Sequence, residues 1–226
     1  MQIRMNSSDN DRDLPGTYVQ PHAAAQPPPI VNIVGVQVAL GPLRCELLPD
    51  YTRWRNDFAV ARTLEYIPGP FTTEEREAWF AQASLDTTSI RFTVYDRATW
   101  RAIGITSLNA IDFRQGTAGF GIVIGEADAR GLGAGTEATR LVLDYAFTIL
   151  GLFNVMLHVY GYNQAALRTY LKAGFREFGR RTQSRVFAGQ RWDEVYMECL
   201  ASGFSSPVLG RVWIPDEPRP SSHAPQ

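Results

Sequence analysis

The residues best suited to chemistry form the run Ala129-Arg130-Gly131-Leu132-Gly133-Ala134-Gly135-Thr136, between a strand-like and a helix-like pattern. Glycines let a backbone come close to a ligand, and amides converging at a helix N-terminus form an anion site whose natural occupant is a diphosphate. The spacing is not that of G-x-G-x-x-G, whose third glycine would fall at Thr136. Nor is it a P-loop. Lys172 is the sole lysine, so no Gly-Lys-Ser/Thr triplet exists, and Schiff-base chemistry would have to use that residue. Taken alone, such a run also reads as a flexible strand-to-helix turn. Downstream, Asn163 and Tyr170 are seven residues apart and so lie on nearly the same side of one helix. Asn163 is suited to cap that helix. Tyr170 is either a proton donor or a buried aromatic. His158 is either a base suited to neutral pH or a packed strand residue.

These residues need elements to hold them. Of 14 prolines, five precede Ile30 and five follow Gly203, with none between Pro70 and Pro207. Residues 1–30 and 204–226 therefore read as poorly ordered tails, the second with Val212-Trp213-Ile214 able to dock. Residues 31–203 read as one folded domain. Alternation over 34–48 predicts strand, turn at Leu40-Gly41-Pro42, strand. Residues 50–64 read as helical, and Thr72 with Glu75 fits a capping box opening a helix to about Leu85. Strands are predicted at 90–95, 103–113 and 116–124. The stretch 135–150 carries one apolar stripe of Ala138, Leu141, Val142, Tyr145, Ala146 and Ile149. A strand at 155–160, a helix at 163–173 and a hairpin of 175–187 with 192–200 follow. This order predicts an α/β (α+β) fold. Its sheet is mixed and mostly antiparallel, with about seven strands and one strand–helix–strand crossover, flanked by about four helices.

Composition excludes several classes. The chain is 45% hydrophobic and 20% charged with net charge −1, ordinary for a globular domain and against nucleic-acid binding by bulk charge. Cys45 and Cys199 form no CxxC pair and read as residues packed in strands. Of three histidines, His22 and His223 lie in the tails, so no metal site is expected. No apolar run approaches the roughly 20 residues that span a bilayer, and no charged region leads into 30–40 as in a signal peptide. A soluble, cytoplasmic protein without membrane contact is the expectation. Arg180, Arg181, Arg185 and Arg191 read as a solvated face, and Glu46, Asp50, Asp57 and Glu65 as exposed carboxylates of a kind that a cationic ligand would also want.

Arg130-x-x-Gly133-x-Gly135 resembles the acetyl-CoA pyrophosphate motif, Gln/Arg-x-x-Gly-x-Gly/Ala, of the GNAT N-acetyltransferase superfamily. Asn163, Ala166, Tyr170 and Gly174-Phe175 resemble that family's second motif. Trp54-Arg55-Asn56-Asp57, the helix start at Thr72 and the hairpin around Gly189-Gln190 resemble the RimJ/RimL-like and spermidine-acetyltransferase-like branch. The resemblance covers about 34–200. It implies a single GNAT domain whose sheet splays at its centre, between the strand ending near Ile124 and the one starting near Phe153. It implies acetyl-CoA as co-substrate, with no metal and no acyl-enzyme. Pantetheine would pair with the backbone of Ile122, Val123 and Ile124. The diphosphate would sit at Arg130, Gly131, Leu132, Gly133, Ala134, Gly135 and Thr136, with Asn163, Ala166 and Tyr170 also on the cofactor. Tyr170 would be the acid for the leaving thiolate. His158 occupies the position of a glutamate base in ribosomal-protein alanine acetyltransferases, with ordered water as the other route.

One departure stands out. Where relatives place a carboxylate in an Ala-Glu-φ-Gly context, this chain has Ala118-Gly119-Phe120-Gly121, which speaks against a polyamine-type acceptor. The expected reaction is acetyl transfer to a primary amine of a small molecule or peptide N-terminus, with a homodimer open. The alternatives are a nonenzymatic acyl-CoA sensor, disfavoured by the intact Asn163 and Tyr170, and a ribosomal-protein N-terminal acetyltransferase, disfavoured by the near-neutral charge.

Overall fold

The computed structural model describes residues 29–64 and 69–216. Eight strands form one sheet: β1 (Ile33–Val34), β2 (Val38–Pro42), β3 (Ile90–Asp96), β4 (Ala102–Asp112), β5 (Thr117–Ile124), β6 (Asn154–Tyr160), β7 (Arg176–Phe187) and β8 (Gln190–Leu200). Their order is β1-β2-β3-β4-β5-β6-β8-β7. Every pairing is antiparallel except β5–β6. That one is parallel because the chain crosses over between the two strands through helix α4 (Ala134–Asp144). The other helices are α1 (Leu48–Asn56), α2 (Phe58–Ala61), α3 (Thr73–Leu85) and α5 (Gln164–Ala173). The expected mixed α/β architecture stands, with one strand and one helix more among the described residues.

The departures lie near the N-terminus, where local pattern misleads. The first hairpin turns at 35–37, not at Leu40-Gly41-Pro42. The backbone N–H groups of Val36, Gln37 and Val38 all donate to the Glu137 carboxylate of α4. A Cβ on Gly35 would press within 2.6 Å of that carboxylate. Gly41 lies inside β2, where the Ile30 carbonyl passes too close for any side chain. Residues 43–48 are not a strand: Cys45–Leu47 is a 3-10 turn, and Pro49 sits in the first turn of α1, where its missing N–H is harmless. Cys45 is exposed there rather than packed in a strand, whereas Cys199 is buried as expected. The predicted helix 50–64 breaks at Asp57, whose carboxylate accepts from Ala59 N (2.8 Å) and caps α2. The Thr72–Glu75 capping box forms as expected, a device contributing about 1 kcal/mol.

Helix α4 is the centre of the core. Ala138, Leu141, Val142 and Ala146 are fully buried, and the stripe continues with half-buried Tyr145 and Ile149. Its final predicted turn is a π-helical one, Tyr145–Ile149. The boundary expected at Gly203 is not where packing stops. Buried Asp144 accepts from Val208 N (3.0 Å) and Leu209 N (2.8 Å), Leu209 joins the core, and Phe204 packs on Phe147. Val212, Trp213 and Ile214, the apolar group read as able to dock, stay exposed. A buried carboxylate needs donors, and these backbone amides supply them.

Candidate active site

Strand β5 pairs with β6 over only three positions, Thr117↔Asn154, Ala118↔Val155 and Gly119↔Met156. Beyond them both strands continue, β5 paired to β4 as far as Ile124 and β6 paired to β8 as far as Tyr160. The sheet is therefore split at its middle into a V whose walls are the ends of β5 and β6. An antiparallel strand turns alternate residues toward its partner. Gly121 O accepts from Thr106 Oγ1 (3.0 Å) and Gly125 N donates to Ile103 O (2.8 Å), so the odd-numbered residues face β4. Ile122 and Ile124 then turn their backbone groups into the gap, while Val123 is committed to β4. Of the three residues expected to offer backbone, Ile122 and Ile124 are turned toward the gap and Val123 is not.

The glycine-rich turn sits at the end of β5. Gly131 (φ 77°) and Gly133 (φ 101°) adopt left-handed backbone that L side chains rarely take, and Gly133 is the N-cap of α4. No atom lies within 4 Å of where a Gly131 Cβ would be, whereas a Cβ on Gly133 would meet Gln37 Oε1 at 3.1 Å. Gly135 has ordinary helical backbone and room for a methyl, its nearest neighbours being Ile124 and Thr169 at 3.7 Å. Leu132 is exposed, Ala134 is buried, and Thr136 is half-buried in the first turn of α4. The helix start thus presents unbonded amides on an open surface, the arrangement that holds a phosphate. Arg130 does not turn to that surface. Its guanidinium donates to Ile124 O (2.9 Å) and Gly125 O (2.6 Å), holding the turn against the end of β5.

On the helix side of the sheet stands Tyr170. Its ring packs edge-on against Phe120 of β5 (centroids 6.1 Å) and against Phe175 (5.8 Å). Burial pushes its phenol up to about 12, since a phenolate would lose its hydration there. Tyr170 is therefore a core aromatic whose hydroxyl keeps its proton. Asn163 caps α5, its Oδ1 accepting from Ala166 N (3.2 Å). Ala166 packs against the core.

His158 lies on the opposite face of β6, because Leu157 and Val159 alternate with it into the core. It is on the far side of the split from Tyr170. Its Nε2 lies 3.7 Å from Glu194 Oε1 on β8, and its ring lies 6.0 Å from that of Tyr196. On β5 this face is bare, because Gly119 and Gly121 carry no side chain. At the far end of β6, Tyr160 donates to Leu64 O (3.3 Å) and Tyr162 to Arg62 O (2.6 Å), bringing the segment after α2 over the strand. Tyr162 stacks on Phe187 (4.4 Å), so the last hairpin closes the same wall.

The remaining expected carboxylates are used elsewhere. Glu46 pairs with Arg44, Asp50 with Arg53, and Asp57 caps α2; Glu65 lies outside the described residues. The arginines read as a solvated face are largely engaged: Arg180 with Glu177, Arg185 with Glu194, and Arg191 with Gln183 O (3.2 Å). Two features escaped the sequence reading. Glu126 accepts from Trp54 Nε1 (2.8 Å) and Arg53 (2.6 Å). The Trp54 ring lies so close over Gly125 that no side chain fits there, and this fastens α1 to the start of the glycine-rich turn. Glu194 is the second. Only the register Tyr160↔Glu194 reveals that it shares a face with His158. Among the described residues no group of three or more His, Cys, Asp or Glu could hold a metal ion.

A family model described as an acetyltransferase (GNAT) domain matches residues 37–176. A spermidine N(1)-acetyltransferase of Vibrio cholerae is 31% identical over 131 residues, 58% of this chain and 75% of the relative. Human alpha/beta-tubulin-N-acetyltransferase 9 is 27% identical over 157 residues, covering 64% of this chain and 75% of that protein. The structure also superposes on Vibrio cholerae spermidine N-acetyltransferase in complex with CoA and spermine, with TM-score 0.68 and 28% identity, over 74% of this chain and 97% of the other.

Proposed function

The chain belongs to the GNAT acetyltransferase domain family, and from that premise we propose that it moves an acetyl group directly from acetyl-CoA to a primary amine at the split between β5 and β6. The enzyme is an acetyl-CoA-dependent N-acetyltransferase acting on an amine; the site assignments and acceptor class are our reading. The observation that carries it is the halt of β5–β6 pairing at Gly119 and Met156. Backbone groups of Ile122 and Ile124 face that gap, the open helix start lies at one end, and Tyr170 and His158 stand on its two sides.

The residues present fit the co-substrate. Gly131, Gly133 and the first amides of α4 would hold the diphosphate, and the backbone of Ile122 with the N–H of Ile124 would pair with pantetheine, the Ile124 carbonyl being taken by Arg130. Asn163 and Ala166 would border it from α5. Arg130 shapes the turn through two carbonyls rather than touching phosphate. Acetyl-CoA supplies an activated acyl group, whose carbonyl carbon bonds to the amine nitrogen as the C–S bond breaks. His158 accepts the first proton of the ammonium, freeing the nitrogen lone pair. Tyr170 donates its phenolic proton to the departing sulfur, and the second proton of the nitrogen returns to the phenolate. His158 then loses its proton to water. Charge and atoms balance as ammonium plus thioester giving amide, thiol and one released proton.

For the acceptor, the bare strand face at Gly119 and Gly121 offers room but no carboxylate. We read the acceptor as a small-molecule amine, the class to which the spermidine of the relatives belongs, with a peptide N-terminus as the second reading suggested by the tubulin acetyltransferase. A relative's structure is described as dodecameric, and self-association as a homodimer is part of the proposal. The test is thiol release from acetyl-CoA across polyamines, aryl and alkyl amines, amino acids and short peptides. No turnover with any amine, despite tight CoA binding, would reduce the protein to an acyl-CoA sensor.

A further inference from the structure

Glu194 has surroundings that a strand carboxylate rarely has. Its side chain is only 2% exposed, and charged groups are almost never so buried unless they are paired. Four groups converge on its two oxygens. Arg185 of β7 donates to Oε1 (3.0 Å), and Arg181 Nη1 approaches Oε2 at 3.8 Å. The Tyr196 hydroxyl lies 3.4 Å from Oε2, and His158 Nε2 lies 3.7 Å from Oε1. Burial alone would raise the Glu194 carboxyl, but the bond to Arg185, with help from His158 and Tyr196, holds it below the usual carboxylate range. The carboxylate therefore stays ionised throughout the pH range of the reaction.

We propose that Glu194 is the positioning residue for His158: its buried, Arg185-anchored carboxylate fixes the imidazole at the edge of the split and stabilises the imidazolium formed when the acceptor amine gives up its proton. This rests on the reading of His158 as the base. The carboxylate lies two residues along β8 from Tyr196, the direct partner of His158, and opposite Tyr160, so the pair is diagonal across β6 and β8. Glu194 and Tyr160 are both buried, which lowers the local dielectric on the carboxylate side of the pair and lengthens the reach of the charge. Arg185 limits the effect. It shares Oε1 with His158, and its guanidinium lies 5.2 Å from the Tyr160 ring, which keeps it in place. Among the described residues, the groups facing His158 from the packed elements include one buried carboxylate, two arginines that balance it, and the Tyr196 and Tyr160 rings.

The test compares Glu194→Gln with His158→Gln and with the doubly neutral Glu194→Gln/Arg185→Gln. The last spares the protein an unpaired buried guanidinium. Each is measured for kcat/KM against pH, with acetyl-CoA affinity as the control. Losing the carboxylate should lower the plateau of kcat/KM about tenfold or more and move the acidic inflection to lower pH, because an imidazolium without its carboxylate sheds its proton more readily. The double variant should displace the inflection in the same direction but less far, because the arginine that balances the carboxylate is lost with it, and acetyl-CoA affinity should stay at the wild-type level. If His158→Gln abolishes the inflection while both Glu194 variants leave it unmoved, the positioning role is overturned and the base stands. A uniform drop in rate with an unmoved inflection overturns it equally. If His158→Gln keeps the wild-type rate and inflection, the base reading itself falls, and this proposal with it.

Discussion

The two walls of the split are assembled differently. The wall proposed to hold the co-substrate is nearly contiguous in the chain, from Ile122 through Thr136, with only Asn163, Ala166 and Tyr170 added from α5. Its defining constraints are local: two glycines with positive φ and the unpaired amides of a helix start. The wall proposed to face the acceptor draws on residues about 130 positions apart. Arg62 and Leu64, the Tyr160–Tyr162 end of β6, and Arg185, Phe187 and Glu194 of the last hairpin meet there through long-range hydrogen bonds and ring stacking. A ligand common to a whole family can be served by a short motif. A ligand peculiar to one member is read by side chains that only the fold brings together.

The sharpest way to break the comparison is Tyr170, the one residue of the co-substrate wall given a chemical role. Tyr170→Phe keeps the ring against Phe120 and Phe175 and removes the hydroxyl, so kcat should fall roughly ten- to thousandfold with acetyl-CoA affinity nearly unchanged. Rapid-quench kinetics with calorimetry separates the two, and wild-type turnover would return Tyr170 to the core alone. The same residue makes a pH prediction. A phenol pushed up to about 12 holds its proton below that pH. The wild-type profile should therefore show no descending limb from Tyr170 between about pH 6 and 10.

His158→Ala tests the acceptor wall by itself. Activity should drop about a hundredfold and the acidic limb of kcat/KM should flatten, with CoA binding intact. Rate and limb both retained would send the proton through water or a carboxylate. On the co-substrate wall, Gly133→Val forces a β-branched residue into φ 101° beside Gln37. Strain of about 1–3 kcal/mol, added to a side chain over the amides, should weaken acetyl-CoA roughly tenfold to a hundredfold. Gly135→Ala, with helical backbone and 3.7 Å of clearance, should change it by less than about threefold. Equal losses in the two variants would show that the need for glycine lies in ligand approach rather than in backbone conformation.

The smallest effect should come from outside both walls. Asp144→Asn removes one acceptor from the bonds that hold Val208 and Leu209. It should cost about 1–3 kcal/mol, seen as a lower Tm in calorimetry, with kcat/KM unchanged. A change in kcat/KM would mean that the docked C-terminal segment communicates with the split.

Periodicity sufficed for most of the fold. The α4 stripe, the Thr72–Glu75 box, the three central strands and the last hairpin are repeating patterns of burial or capping, and each is decided within a few residues of itself. The errors cluster where a distant group overrides the local signal. Gly41 looks like a turn glycine, but it is a strand residue forced by the Ile30 backbone. The turn at 35–37 exists because a carboxylate about 100 residues away collects its amides. Residues 204–211 look like a tail until Asp144 is seen to need donors.

The same division runs through the site. Glycines at 131 and 133, and a helix that places Asn163 and Tyr170 on one side, are properties of neighbouring dihedrals and helical spacing, so they are legible in order along the chain. Which backbone groups face the gap depends on how β5 pairs with β4. Arg130 reads as a phosphate ligand but bonds two carbonyls, because the turn folds it back onto the end of its own strand. The diagonal of His158 and Glu194 exists only once β6 and β8 have chosen their register. A register is fixed by the sum of many long-range pairings, and no segment of the chain contains that sum.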